Sequence, residues 1–170
     1  MNNKKYFFQP EKKILKQGFF MTDENGNVVY EAKVLKQSLL GPATVEFINH
    51  ISGKKQEHQV GKVVTTETSG MFEFFSVKSW FKLDGKKIWD YLHAAGIRIN
   101  SSMADGKIGM TYDISLKGEP IATLATAAAN GGKAIITSGF HYDVTSAEEN
   151  LDWAFLTTFA IAKTEQAFYD

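Results

Sequence analysis

The segment Leu151–Ala162 limits what this chain can fold into more than any other. Placed on a helix at roughly 100° per residue, Leu151, Trp153, Ala154, Phe155, Leu156, Phe159, Ala160, Ile161 and Ala162 spread around the whole circumference, with only Asp152, Thr157 and Thr158 between them. A helix that is apolar on every side must be surrounded by lipid or by protein. This one would rise roughly 18 Å, well short of the roughly 30 Å of hydrocarbon in a bilayer. No transmembrane segment is therefore expected, and the rest of the chain is expected to wrap the helix. The alternative is a helix lying on an open sheet, with Trp153 or Phe159 exposed or covered by a second subunit. Thr145 and Ser146 stand three residues before Glu148 and Glu149, which is capping-box spacing, so the helix is expected to begin at Ser146.

The wrapping material reads as β-structure. Up to Val144, runs rich in Val, Ile, Phe, Tyr and Thr alternate with tips carrying Gly, Asn, Asp or Lys, the pattern of successive hairpins. In 108–116, Ile108, Met110, Tyr112, Ile114 and Leu116 fall on one face and Gly109, Thr111, Asp113 and Ser115 on the other. Val28, Tyr30, Ala32 and Val34 alternate in the same way after the tip Asp23-Glu24-Asn25-Gly26-Asn27. Further tips are Ser52-Gly53-Lys54-Lys55, Asp84-Gly85-Lys86-Lys87, Lys117-Gly118-Glu119-Pro120 and Asn130-Gly131-Gly132-Lys133. The spacing predicts about ten to twelve strands in one antiparallel sheet, a size at which sheets tend to close or split. The small side chains of 122–129 predict a place where the C-terminal helix comes close.

With 170 residues and 44% hydrophobic content the chain can build one core, and no linker or repeat divides it, so 1–170 is read as a single domain. Nineteen Lys and Arg balance nineteen Asp and Glu, which removes the overall positive charge that attracts nucleic acid. The absence of cysteine excludes disulfides, thiolate metal sites and a cysteine nucleophile, and fits a cytoplasmic protein. No apolar run after Met1–Lys5 reads as a signal peptide.

The hairpin Asp23–Glu31, the run Phe75-Ser76-Val77-Lys78 leading into Asp84-Gly85-Lys86, and the apolar helix together resemble the LURP-one-related family, which shares the fold of the tubby C-terminal domain. The resemblance spans nearly the whole chain. It implies a mainly β fold with one α-helix, a closed antiparallel barrel of about twelve strands around a hydrophobic C-terminal helix. Many members of the family have no assigned activity. Tubby domains bind phosphoinositides through basic surface residues and the related scramblases act at membranes, but Arg98 is the only arginine here, so no binding residue carries over.

Read from the residues themselves, Lys54, Lys55, Lys86 and Lys87 at hairpin tips are candidates for binding anionic phospholipid headgroups, and Lys4, Lys5, Lys12, Lys13 and Lys16 make the N-terminal stretch basic. Solvated turn lysines are the alternative. His141 and Asp143 share a strand face and are a candidate metal or acid–base pair, which His50, His58 or His93 would have to complete in space. Trp80, Trp89 and Tyr91 form either a binding surface or a cap on the barrel end. Gly132-Lys133 is not a phosphate loop, Asp23–Val34 lacks the Gly and Glu of a calcium loop, and no nucleophile elbow, zinc-helix or dinucleotide signature occurs. The sequence thus points to a non-enzymatic binding or scaffold protein without a cofactor, its partner an anionic lipid surface or another protein. The alternative is an enzyme or metal-binding protein with its site near His141 and Asp143.

Overall fold

A computed structural model describes residues 3–11, 18–70, 73–103, 110–126 and 141–166. Within them the chain forms β1 (Lys4–Pro10), β2 (Phe19–Thr22), β3 (Val28–Lys36), β4 (Ala43–Asn49), β5 (Lys55–Val60), β6 (Val64–Gly70), β7 (Glu73–Trp80), β8 (Lys82–Leu83), β9 (Lys86–Lys87), α1 (Ile88–Ala94), β10 (Ile97–Met103), β11 (Met110–Leu116), β12 (Glu119–Thr126), β13 (Tyr142–Ser146) and α2 (Leu151–Gln166). The tip Asn130–Lys133, the start of the expected 108–116 strand, residues 127–129, and Lys12, Lys13 and Lys16 lie outside the described residues.

The fold is mainly β with a C-terminal helix, and its strands pair antiparallel. Eleven of them form one sheet in the order β10-β11-β12-β13-β1-β2-β3-β4-β5-β8-β9, and β6 and β7 form a separate hairpin. Among the described residues this hydrogen bonding does not close into a barrel: β10 and β9 are the two ends of the ladder, and α1 connects them in sequence. The sequence gives no sign of α1. It occupies a place expected to be strand, and it buries Ile88 and Leu92, four residues apart on one helical face.

Helix α2 is enclosed as its composition requires. From Leu151 to Thr164 every side chain is buried except Asp152, Trp153 and Lys163, which are half-buried. Phe155 lies 4.3 Å from the Tyr30 ring and 5.3 Å from Phe8, centroid to centroid, and Phe159 lies 5.2 Å from Phe47, 5.5 Å from Phe19 and 5.7 Å from Phe81. Those partners come from β1, β2, β3, β4 and the β7–β8 junction, so the sheet curls around the helix. At the centroid distances of favourable aromatic pairs, each contributes about 0.5–1.5 kcal/mol beyond its buried area.

The expected capping box does not form. Ser146 is the last residue of β13, fully buried, with its hydroxyl within reach of the carbonyls of Ile121 and Ala147. A 3₁₀ turn, Glu148–Asn150, intervenes and has no side-chain cap, so the α-helix starts only at Leu151. In β3 the expected face holds at Tyr30 and Ala32, both buried, and departs at the start of the strand. A bulge between Met21 and Thr22 pairs Met21 with Tyr30 but Thr22 with Val28, which leaves Val28 exposed and Val29 buried.

Register fixes which loops share an end. Lys4 pairs with Ser146, Tyr30 with Asn49 and Ala122 with Ser146, so the tips at 23–27, 50–54 and 117–118 gather where α2 begins, here called the upper end. Asp84 folds back along β5 toward the same end, its N–H donating to the Gln59 carbonyl at 2.8 Å. Loops 37–42 and 61–63 lie at the lower end, toward which α2 runs to place Lys163 Nζ 6.0 Å from the Phe81 ring. No helix among the described residues is long and apolar enough to cross a membrane.

Candidate functional sites

Among the described residues two candidate places stand out, one at each end. At the upper end a cleft of about 350 Å³ opens between the first turn of α2 and strands β3–β5. Asp152, one residue into α2, lines it. Tyr30 from β3 donates its hydroxyl to Asp152 Oδ1 at 2.7 Å, Asn49 Nδ2 from β4 donates to the same oxygen at 3.3 Å, and Lys54 Nζ approaches Oδ2 at 3.9 Å. Burial, then the bond to Asp152, pushes the Tyr30 phenol far above its ordinary value, so Tyr30 is a fixed donor at every physiological pH.

His58, buried in β5, lines the same cleft. Its Nδ1 lies 2.6 Å from Asp84 Oδ2, while the Gln59 N–H donates to Asp84 Oδ1 at 2.7 Å. Burial alone would raise the Asp84 carboxyl, but these hydrogen bonds outweigh it and hold the group below the usual carboxylate range. An ionised carboxylate only accepts, so Nδ1 carries the proton, and in the neutral imidazole Nε2 is the remaining acceptor. Glu149, Trp153 and Tyr91 complete the walls. Among the described residues no Ser, Thr or Cys lines the cleft.

At the lower end the β3–β4 loop projects Leu39 and Leu40, which are 90% and 100% exposed. The loop is a built turn: the Gly41 N–H donates to Ser38 Oγ at 3.0 Å and Lys62 Nζ to the Leu39 carbonyl at 2.7 Å. A groove of about 250 Å³ beside it is lined by Leu40, Val64, Trp80, Lys62 and Lys82. Lys36 ends the strand that leads into the loop, and neither 36–44, 58–64 nor 80–83 contains an Asp or Glu.

The residues singled out from sequence are dispersed by comparison. Lys54 faces Asp152 and Lys87 sits 4.3 Å from the Trp80 ring centroid, so two of the four tip lysines are engaged intramolecularly. Lys55 and Lys86 are exposed at the starts of β5 and β9. Lys4 pairs with Glu148 at 2.5 Å. His141 and Asp143 flank buried Tyr142 and so fall on the outer side of β13, which β1 to β4 separate from His58 in the sheet order. Among the described residues no three metal-ligating side chains come together. Trp80, Trp89 and Tyr91 are half-buried against the core, with Trp89 Nε1 donating to the Ser79 carbonyl at 2.8 Å, so the first two cap more than they display.

Sequence reasoning missed both sites. Leu39-Leu40 before Gly41-Pro42 is an apolar pair inside turn chemistry, a signal present in the sequence that reads as the end of a strand. The cleft joins residues 30, 49, 58, 84 and 152, which no local pattern connects. Comparison of the chain with protein-family models, curated proteins and solved structures finds no match.

Proposed function

We propose that this protein is a non-enzymatic binding domain that docks on anionic lipid surfaces through the Leu39–Leu40 loop. The observation that carries the reading is an exposed pair of leucines beside a groove lined by Lys62 and Lys82, with Lys36 at the end of the strand that leads into the loop and no acidic residue in the flanking segments. An apolar tip with a cationic collar matches a bilayer whose outer layer is anionic headgroup and whose next layer is hydrocarbon. Inserting a leucine side chain contributes about 1.5–3 kcal/mol if fully buried, and a lysine near an anionic surface about 1 kcal/mol. Two leucines and three lysines therefore support reversible, salt-sensitive attachment rather than permanent anchoring. The tip lysines Lys54, Lys55, Lys86 and Lys87 play at most a secondary part in this reading, because Lys54 and Lys87 already have partners. Anionic leaflets face the cytoplasm, which is where such a domain would work.

Co-sedimentation with phosphatidylcholine vesicles, with and without phosphatidylserine, tests the proposal. The wild-type protein is expected to bind only the anionic vesicles and to release in high salt. The double variant Leu39→Glu/Leu40→Glu should lose binding more than tenfold, and Lys62→Ala should weaken it about fivefold, the equivalent of one lysine contribution. Equal sedimentation of wild type and double variant would overturn it, as would absence of binding to the anionic vesicles. Retention of a protein partner by wild type but not by the double variant, without vesicle binding, would replace the lipid with a protein.

We further infer that the chain is a member of the LURP-one-related family and that its sheet wraps α2 as a barrel whose seam is covered by α1. The support is the burial of α2 on all sides and the position of α1 between β9 and β10 in sequence.

A further inference from the structure

The upper cleft is chemically opposite to the lower tip. Its lining carries one lysine, Lys54, against two carboxylates, Glu149 and Asp152, and the carboxylate of Asp84 stands behind His58. Asp152 Oδ1 is held by Tyr30 and Asn49, which aims the carboxylate, while the Lys54 ammonium stands 3.9 Å from Oδ2 and the side chain is 40% exposed. His58, more than nine-tenths buried, has Nδ1 committed to Asp84, and in its neutral form Nε2 is an acceptor. The walls beside these acceptors are aromatic, with Trp153 and Tyr91 both half-buried. A volume of about 350 Å³ falls in the lower part of the range of small-molecule sites, roughly 300–1,000 Å³.

We infer that this cleft is a binding site for a small organic ammonium ion with an apolar or aromatic body. A primary ammonium has three donors and no acceptor, and the cleft presents acceptors in the matching excess: Asp152 Oδ2, Glu149 and His58 Nε2. The aromatic walls favour the same ligand twice, by covering its apolar body and by facing a cation with a π surface. Lys54 is the chain's own ammonium at this position, held loosely and 59% exposed, so a ligand amine replaces a contact that the protein already makes with itself. That explains why a lysine sits in a cleft of net negative charge, and it reverses the role that a turn lysine suggests: Lys54 competes with the ligand instead of binding it.

Isothermal titration of the full chain with phenethylamine, and with phenylacetate as the anion of matching shape, tests the inference. Phenethylamine is expected to bind and phenylacetate not to. Asp152→Asn, which keeps acceptance from Tyr30, should weaken phenethylamine at least tenfold, and Trp153→Ala should do the same. Lys54→Ala should tighten it severalfold, whereas in an anion site that substitution would weaken binding. Thermal melts of each variant separate loss of the site from loss of the fold, and Lys54→Ala, an exposed turn substitution, keeps the test open if Asp152→Asn does not fold. No binding of phenethylamine by folded wild-type protein, equal binding of the two probes, or weaker binding by Lys54→Ala would each overturn it. Vesicle docking at the lower end is unaffected by any of these outcomes.

Discussion

Asp84 shows how one side chain can tie distant parts of the chain together. It occupies the left-handed region at φ 51°, next to Gly85 at φ 81°, which is the backbone of a tight hairpin turn. From there its two oxygens reach His58 and the Gln59 N–H on β5, joining the tip to the large sheet. Because its carboxyl titrates below the ordinary value in the folded protein, the unfolded chain binds more protons in the acid range. The stabilisation is therefore complete above the unfolded pKa, near pH 4, and is lost as pH falls through the lower folded value. Asp84→Asn suits the test because asparagine also tolerates the left-handed backbone. It should cost about 1 kcal/mol at neutral pH, an estimate kept at the low end because the carboxylate is 46% exposed and screened. Urea titrations at descending pH should show wild type and variant converging below pH 4, and parallel curves would count against the contact.

Within elements, α2 is where sequence and structure agree most closely and where their difference is most informative. Its apolar circumference is legible because enclosure requires it at every position, whatever the enclosing topology. Its start is not legible: Ser146 satisfies the capping pattern, yet the ladder with β1 and β12 claims it first, and tertiary pairing overrides a local motif. The bulge at Met21–Thr22 is hidden for the same reason, since alternation in β3 says nothing about the register of its neighbour. Thr157 and Thr158 are both fully buried, but their hydroxyls differ. Thr158 Oγ1 donates to the Ala154 carbonyl at 2.7 Å, whereas Thr157 Oγ1 has no partner among the described residues. A buried hydroxyl without a partner keeps its desolvation cost, so Thr157→Val, which preserves shape, should stabilise the protein by about 1 kcal/mol. Thr158→Val should be neutral or destabilising by a similar amount. Denaturant midpoints of the two variants, moving in opposite directions or with Thr157→Val alone moving up, check the assignment; a lower midpoint for Thr157→Val would contradict it.

At the scale of the whole molecule, the open question of physics is how a ladder with two ends can enclose a helix. A sheet that curls around α2 brings its edges β10 and β9 toward each other, and unpaired edges are both a leak for water and a template for aggregation. In the barrel proposed above, α1 covers that seam. The Ile88 N–H donates to the Phe81 carbonyl at 2.8 Å, the Lys117 N–H to the Gly96 carbonyl at 2.8 Å, and Ile88 and Leu92 turn into the core. None of this is legible in advance, because seven residues are about two turns, too few to establish a helical period, and the lysine-rich tip before them reads as a hairpin. If α1 is the seam cover, truncating its inner face should act locally before it acts globally. Leu92→Ala is expected to cost about 2–5 kcal/mol, as for other buried leucines. Hydrogen exchange should show the amides of β9 and β10 losing protection first, while β2, β3 and β4, in the middle of the sheet, keep theirs until global unfolding. Uniform loss across all strands would mean that the edges are held by the rest of the sheet and that α1 only rests on them. A local loss would make this seven-residue helix the part of the chain that turns a curled sheet into a closed container for α2.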